Sequence, residues 1–568
     1  MAQHATLVDV LTARAVAQAG ERAYLFLSDH GAEEASLSYG ELFARAKAVA
    51  ARLAAVAAPG ERALLIFPSG LEFVIALFGC FLARVIAVPI MVPRRQSARD
   101  SSASIVADCA PRVALVSAAL QTRQDLRERF AGLTWMTVDR APAEAEFSGP
   151  APGAGDVAFL QYTSGSTSDP KGVVVTHRNL MVNEEMMRVS LGNSERSTCV
   201  NWIPHFHDMG LVFGVLHPLY LGSLSVLMSP NAFMQRPIVW LRAISQYRAE
   251  TVAGPNFGYD LCVSRYRPEL MEGIDLSNWK VMCCGAEPIR AATLRRFAET
   301  FAPHGFDSRA IFPCYGMAET TLEATGRWRG SGYVTRKLSR TGLQANRIEE
   351  PRSETDVQEL VGCGRTVLDE RLAIVDPGTG TPLGTDRIGE IWVSGENIAA
   401  AYWRNEDATE ASMRARLPGE DGAWLRTGDL GFLDAAGELF VTGRIKELII
   451  VRGMNHYPQD IERTVQAAHP ALRQNGGAAF AVEGERGGEE LVIVQEVERT
   501  ARNKIDPDEI VGIVREAVTR EHEIYARHIV LIRPNTLPKT TSGKIQRNQT
   551  RTLWLEGRLD YLAAESAA

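Results

Sequence analysis

Strands and helices alternate early in this chain, and that alternation narrows its possible folds more than any other feature. Ala63–Phe67 is an apolar run of strand length, Leu71 to Leu82 reads as a helix, and Val85–Val88 is apolar and β-rich again. Residues 111–140 repeat the order. Parallel strands need a crossover, and a returning helix covers one sheet face. The pattern therefore predicts an α/β chain built on helix-covered, mainly parallel sheets. Ahead of it, Leu7, Val8, Val10 and Leu11 recur at helical spacing. Ser38 with Glu41 three residues on makes a capping box that opens a second helix, running to Leu53. At 568 residues the chain exceeds one core and should hold about two to four domains.

One stretch competes with a soluble reading. Met209 to Gln235 carries no formally charged residue and is longer than the roughly 20 residues that span a bilayer. Pro218-Leu-Tyr-Leu-Gly222 is expected to divide it into an apolar helix and a strand, Ser223–Met228, inside a soluble core. Hydrophobic residues at 46% and charged ones at 23% suit that reading. A net charge of −7 leaves no basic footprint, so nucleic acid is not an expected partner. The eight cysteines form no C-x-x-C pair, and the N-terminus lacks a basic region leading into an apolar one. Both point to reduced thiols in a cytoplasmic protein without a transmembrane segment.

Tyr162-Thr-Ser-Gly-Ser-Thr-Ser-Asp-Pro-Lys171-Gly172 lies between two apolar strand-like runs. Its backbone N–H groups and the hydroxyls of Thr163, Ser164, Ser166 and Thr167 can wrap an anion around Gly165, and Lys171 adds a charge. Lys171 precedes Gly172, the reverse of a Walker A loop. Alone, such a loop is equally a flexible surface turn. Further on, His205-Phe-His207-Asp208 invites a metal reading, but no other ligand cluster stands at a suitable spacing. It reads better as a polar wall at the mouth of the apolar segment. A carboxylate head would lie near His207 and its tail against Met209, Gly210, Phe213, Gly214 and on to Tyr220.

Two more strands end in turns, at Gly285-Ala286-Glu287-Pro288 and at Tyr315-Gly316-Met317-Ala318-Glu319-Thr320. Parallel sheets bind ligands at the carboxyl ends of their strands, so both turns should flank the 162–172 loop. Gly285, Ala286 and the Tyr315 ring make a slot for a flat base. Glu319 is a candidate Mg²⁺ ligand and Thr320 a phosphate donor. Asp429, in a tight turn after a strand, suits ribose hydroxyls.

With Gly443-Arg444-Ile-Lys446 and Leu537-Pro-Lys-Thr-Thr-Ser-Gly-Lys544, these motifs keep one order, and the chain resembles the adenylate-forming superfamily along essentially its whole length. Pro204–Leu211, Pro255–Leu261 and Arg452–Glu462 make it most similar to the fatty acyl-AMP ligases. The resemblance implies a large N-terminal domain over residues 1–442, a hinge at 443–446 and a small mobile α+β lid over 447–568. It implies ATP and Mg²⁺, a fatty acid, and transfer to the phosphopantetheine thiol of a separate acyl carrier protein. Thr163, Ser164, Gly165, Ser166, Thr167 and Lys171 would hold the β/γ-phosphates. Gly285, Ala286, Glu287, Tyr315, Gly316 and Met317 would surround adenine, and Asp429 and Arg444 the ribose. Glu319 would take Mg²⁺, Thr320 the α-phosphate, and Lys446 the hinge. Lys544 would neutralise the transition state, with His207 beside the carboxylate. A polar stretch from Gly326 to Glu359 matches an insertion thought, in that family, to restrain the lid and disfavour coenzyme A. An acyl-CoA ligase and an inactive acyl-adenylate binder are the alternatives.

Overall fold

The computed structural model describes residues 4–93, 102–138, 146–163, 170–451, 454–483, 489–540 and 543–564. Two seven-stranded sheets form its larger part. In one, Arg62–Ile66 is flanked by Ile86–Ile90 and Val113–Val116, all parallel. This is the predicted strand–helix–strand unit, with Leu71–Ala83 as its crossover. Twelve of that helix's thirteen residues are buried, because it is covered by the Tyr39–Ala54 helix as well as by the sheet. Ser38 caps the latter helix as its sequence predicts: its hydroxyl accepts from Glu41 N–H at 3.1 Å, and Glu41 Oε2 returns a bond to Ser38 N–H at 2.8 Å.

The second sheet runs Ile311–Pro313, Val281–Gly285, Thr251–Pro255, Cys199–Asn201, Ser225–Met228, Arg22–Leu27, Glu33–Ser38. Its last two strands were not visible in the sequence pattern; Glu33–Ser38 is largely exposed and lacks a continuous apolar face. The central strands are pinned from outside by an aromatic cluster. Trp240 meets Trp279 edge-on at 5.5 Å, Trp279 meets Phe297 at 5.7 Å, and Tyr259 donates to the Cys283 carbonyl at 2.5 Å. Such pairs add about 0.5–1.5 kcal/mol each beyond area burial, and here they fix where Gly285 and Ala286 emerge.

The uncharged stretch is buried from Met209 to Leu219 and again over Ser225–Met228, and no helix among the described residues is long and apolar enough to cross a membrane. Met209–Leu216 is a π-helix, followed by an α-helix over His217–Leu221 and a strand over Ser225–Met228. The chain breaks at Gly222 (φ 82°) rather than at Pro218. Pro218 lies in the first turn of the α-helix, where no N–H is required, so the helical path continues through it.

Arg371–Val375, Gly389–Ser394, Leu425–Leu433 and Leu439–Arg444 form a separate antiparallel sheet. Beyond the turn Ile445–Glu447 stands a mixed sheet of Leu472–Glu483, Glu489–Val497, Ala526–Ile532 and Tyr561–Ala564 with its own apolar core. The Gly326–Glu359 stretch is an ordered part of the fold: Thr335–Ser339 pairs antiparallel with Val357–Val361 around a short helix, Arg340–Gln344.

Candidate active site

A cleft of about 2520 Å³ runs between the sheet edges and the C-terminal unit. His207, Asp208, Met209, Phe213, Gly285, Ala286, Glu287, Tyr315, Gly316, Met317, Glu319, Asp429, Arg444 and Lys544 all line it. Residues spread over some 340 positions thus converge, several of them at strand ends: Gly285 closes Val281–Gly285 and Arg444 closes Leu439–Arg444.

The base-and-ribose corner is tied by one carboxylate. Asp429 and Arg444 face each other across paired strands, and Arg444 Nε donates to Asp429 Oδ1 at 2.6 Å. Tyr315 donates its hydroxyl to Asp429 Oδ2 at 2.8 Å. Burial and the Asp429 charge push the Tyr315 hydroxyl well above its ordinary range, so it remains a donor. Asp429 lies within the strand Leu425–Leu433, next to Gly428 (φ 72°), and not in a tight turn after it. Ala286 adopts a left-handed φ of 65°, a conformation costly for a residue with a Cβ and one that gathers at ligand sites.

Glu319 is 8% exposed and accepts from the Tyr402 hydroxyl at 2.7 Å. The Lys171 ammonium sits 4.8 Å from the same Tyr402 ring. Tyr402 therefore links the two groups expected at the triphosphate, yet nothing in the sequence singles it out. It arrives through a two-residue strand, Ala401–Tyr402, beside Lys171–Thr176. Among the described residues no group of three or more His, Cys, Asp or Glu could hold a metal ion. One carboxylate fits Mg²⁺, which is commonly held by one or two carboxylates plus substrate phosphates. Ser164, Gly165, Ser166, Thr167 and the Thr163 side chain lie outside the described residues.

Three expected contributors are placed elsewhere. Thr320 is fully buried, and its hydroxyl donates to the Met317 carbonyl at 2.9 Å while accepting from Met317 N–H at 3.1 Å. It staples its own turn and does not line the cleft. Gly210 and Gly214 do not line it either; they let the π-helix press onto its neighbours. A Cβ on Gly214 would stand 1.9 Å from Asn201 Nδ2, and one on Gly210 would stand 2.1 Å from the Pro204 carbonyl oxygen. The apolar wall comes from Met209 and Phe213 instead.

The C-terminal unit delivers Lys544. Gly543, at φ 87°, abuts Phe257 so closely that a Cβ would lie 2.8 Å from its ring. Phe257 N–H in turn donates to Glu287 Oε1 at 2.6 Å. Burial raises the Asp208 carboxyl, but His207, the Lys544 ammonium and Met209 N–H outweigh it and bring it to about 2. His207 Nδ1 lies 2.7 Å from Asp208 Oδ1. A cation, an imidazole and a carboxylate thus share the mouth of the apolar wall. Lys446 is exposed in the Ile445–Glu447 turn, outside the cleft.

The 326–359 stretch is bonded to this C-terminal unit. Arg340 Nη1 donates to the Glu521 carbonyl at 3.0 Å and to its Oε2 at 3.2 Å. Gln358 Nε2 donates to Asp460 Oδ2 at 2.7 Å, and Asn455 Nδ2 to Asn346 Oδ1 at 3.0 Å. Tyr457 packs with Leu338 and Leu343 in one cluster.

A family model described as AMP-binding enzyme matches residues 11–403, and one described as Disco-interacting protein 2-like, AMP domain, matches residues 446–564. The medium-chain-fatty-acid–[acyl-carrier-protein] ligase JamA of Moorena producens is 42% identical over 99% of this chain and 97% of its own. The long-chain-fatty-acid–AMP ligase FadD32 of Mycolicibacterium smegmatis is 34% identical over 92% of this chain and 89% of its own. The crystal structure of a fatty acyl-adenylate ligase from Legionella pneumophila, in complex with acyl adenylate and pyrophosphate, superimposes with a TM-score of 0.75 at 37% identity. It covers 100% of this chain and 98% of that one.

Proposed function

The chain belongs to the AMP-binding enzymes, and within that family we propose that it is a fatty acyl-AMP ligase, a ligase that activates a medium- or long-chain fatty acid with ATP. The acyl group then passes to the phosphopantetheine thiol of a separate acyl carrier protein. The observation that carries this reading is the meeting, in one cleft, of Lys544 with His207–Asp208 at an apolar wall, opposite the Tyr315–Asp429–Arg444 corner.

In the first step a fatty carboxylate oxygen attacks the α-phosphorus, the bond to the bridging oxygen breaks, and pyrophosphate leaves with that electron pair. No proton moves, so positioning and charge stabilisation supply the rate. Lys544 is the mobile positive charge next to the attacking carboxylate and the α-phosphate, and His207 orients the carboxylate. Asp429 and Arg444 hold the ribose; Gly285, Ala286, Glu287, Tyr315, Gly316 and Met317 flank the base. Lys171, with Thr163, Ser164, Gly165, Ser166 and Thr167, would hold the β/γ-phosphates. Glu319 would hold the Mg²⁺ that accompanies the triphosphate and offsets its charge. Thr320 supports the turn bearing Glu319 and has no hydroxyl to spare for a phosphate.

Residues 1–442 act as the catalytic body and 447–568 as the lid, with backbone rotation at 443–446, around Lys446, withdrawing Lys544 for the transfer step. The bonds from 326–359 to the lid favour a carrier protein over coenzyme A as acceptor. Eight unpaired thiols, seven of them buried, support a reducing cytoplasmic setting.

The test is pyrophosphate release over a fatty-acid length series, with and without coenzyme A and with a phosphopantetheinylated carrier protein. Acyl-adenylate accumulation and acyl-carrier formation without acyl-CoA are expected. Efficient acyl-CoA synthesis would overturn the assignment in favour of a coenzyme A ligase.

A further inference from the structure

The apolar part of the cleft wall, formed by Met187, Leu191, Phe213, Cys283 and Phe312, includes one acid, Glu323. Glu323 is 5% exposed. Its backbone is committed: the N–H donates to Asn183 Oδ1 at 3.2 Å, and the carbonyl accepts from Asn183 Nδ2 at 2.8 Å. Its two carboxyl oxygens lie 2.8 and 3.1 Å from a single hydroxyl, Ser190 Oγ. One hydroxyl has one hydrogen, so in the ionised carboxylate one oxygen is left without a donor.

Four other buried acids of the cleft wall face a cation: Asp429 has Arg444, Asp460 has Arg463, Glu462 has Arg547 and Glu496 has Arg473. Glu319, the candidate Mg²⁺ ligand, meets one hydroxyl as Glu323 does, that of Tyr402. Among the described residues no cation pairs with Glu323. Burial pushes its carboxyl up to about 7, against the pull of the Ser190 hydroxyl. Apolar packing alone would be served better by a leucine here, since a buried polar group without its partner is costly. An acceptor lacking a donor, inside a pocket that receives a chain, needs a donor from that chain.

We propose that Glu323 is a specificity residue that accepts a hydrogen bond from a hydroxyl or ammonium group carried on the substrate's acyl chain, away from the reacting carboxylate. The proposal rests on the acyl-AMP ligase reading and narrows its substrate class. A site built to bond a polar substituent discriminates against the analogue lacking it, because the site's own group is then left unpaired.

The experiment is pyrophosphate exchange by the full chain with octanoate and with analogues bearing a hydroxyl or an amine at successive carbons. Wild type, E323Q and E323M are compared, with thermal melting to check folding. Wild type should favour a donor at one position over octanoate by about tenfold or more in kcat/KM. E323M should lose that preference; E323Q should keep it for hydroxyl and lose it for ammonium, which separates the two donors. A flat profile along the chain in wild type would overturn the proposal, whether or not E323M folds, as would a preference that survives in E323M. Activity on octanoate without discrimination would sink the subsite alone. Exchange with no acid at all would sink the ligase reading, and the subsite with it.

Discussion

Cutting the bonds between the 326–359 stretch and the C-terminal unit should change which thiol the protein accepts. Two contacts dominate. Gln358 donates to Asp460, a carboxylate 6% exposed, and a hydrogen bond to a buried charge contributes about 1.5–3 kcal/mol. Arg340 reaches the Glu521 carboxylate and carbonyl with side chains 17% and 31% exposed, so solvent screening holds it to about 1 kcal/mol. Together R340A and Q358A remove about 3 kcal/mol from the docked arrangement. At 1.4 kcal/mol per factor of ten, the undocked population rises roughly a hundredfold. Amide hydrogen exchange should then speed up in the Pro458–Ala468 helix and in Met454–His456, both of which are bonded to the 326–359 stretch. Thioester assays should show more acyl-CoA from the double variant than from wild type. Unchanged exchange in those elements together with an unchanged acceptor would refute the reasoning, for the insertion would then be a passenger on a lid held by other contacts.

Three further outcomes are expected. K544A should lower adenylate formation by at least about a hundredfold while nucleotide binding, read by calorimetry, stays within a few-fold, since its charge serves the transition state; a near-normal rate would sink the mechanism. G214A should destabilise the fold by about 1–3 kcal/mol in a denaturant titration, because its Cβ would lie 1.9 Å from Asn201 Nδ2 in a packed π-helix. The third concerns pH. Burial holds His177, His205 and His456 at about 4, below their ordinary 6.5, so each stays neutral in the fold while the unfolded chain takes up protons. Their stabilisation is complete above pH 6.5 and drains as pH falls toward 4, by about 1.4 kcal/mol per unit for each histidine. Melting temperature measured from pH 7 to 4.5 should fall over that window, and H205F should flatten the slope.

What the sequence revealed and what it hid divide along a physical line. The Leu71–Ala83 crossover and the Ser38 capping box rest on interactions within a few residues, so spacing alone exposes them. The edge strand Glu33–Ser38 was hidden because a mostly exposed strand carries no alternating apolar face. The π-helix could not be told from an α-helix, because both bury an apolar run on every side. Motif residues such as Tyr315, Asp429 and Arg444 were legible as chemistry, though not their mutual bonds.

Thr320 and Glu323 show the limit most plainly, three positions apart. Thr320 carries a hydroxyl next to Glu319, the candidate metal ligand, which made it look like a phosphate donor; the hairpin turns it inward to Met317. Glu323, across the same hairpin from Gly316, belongs to no motif that the sequence singles out; pairing places it in the cleft wall with Ser190 of a distant helix. Whether a side chain faces ligand or core is set by strand register, and a one-residue difference in register reverses the answer. Composition and motif order therefore identify the reaction, while the residues that select its substrate emerge only once the register of Tyr315–Gly316 against Glu323–Thr325 is known.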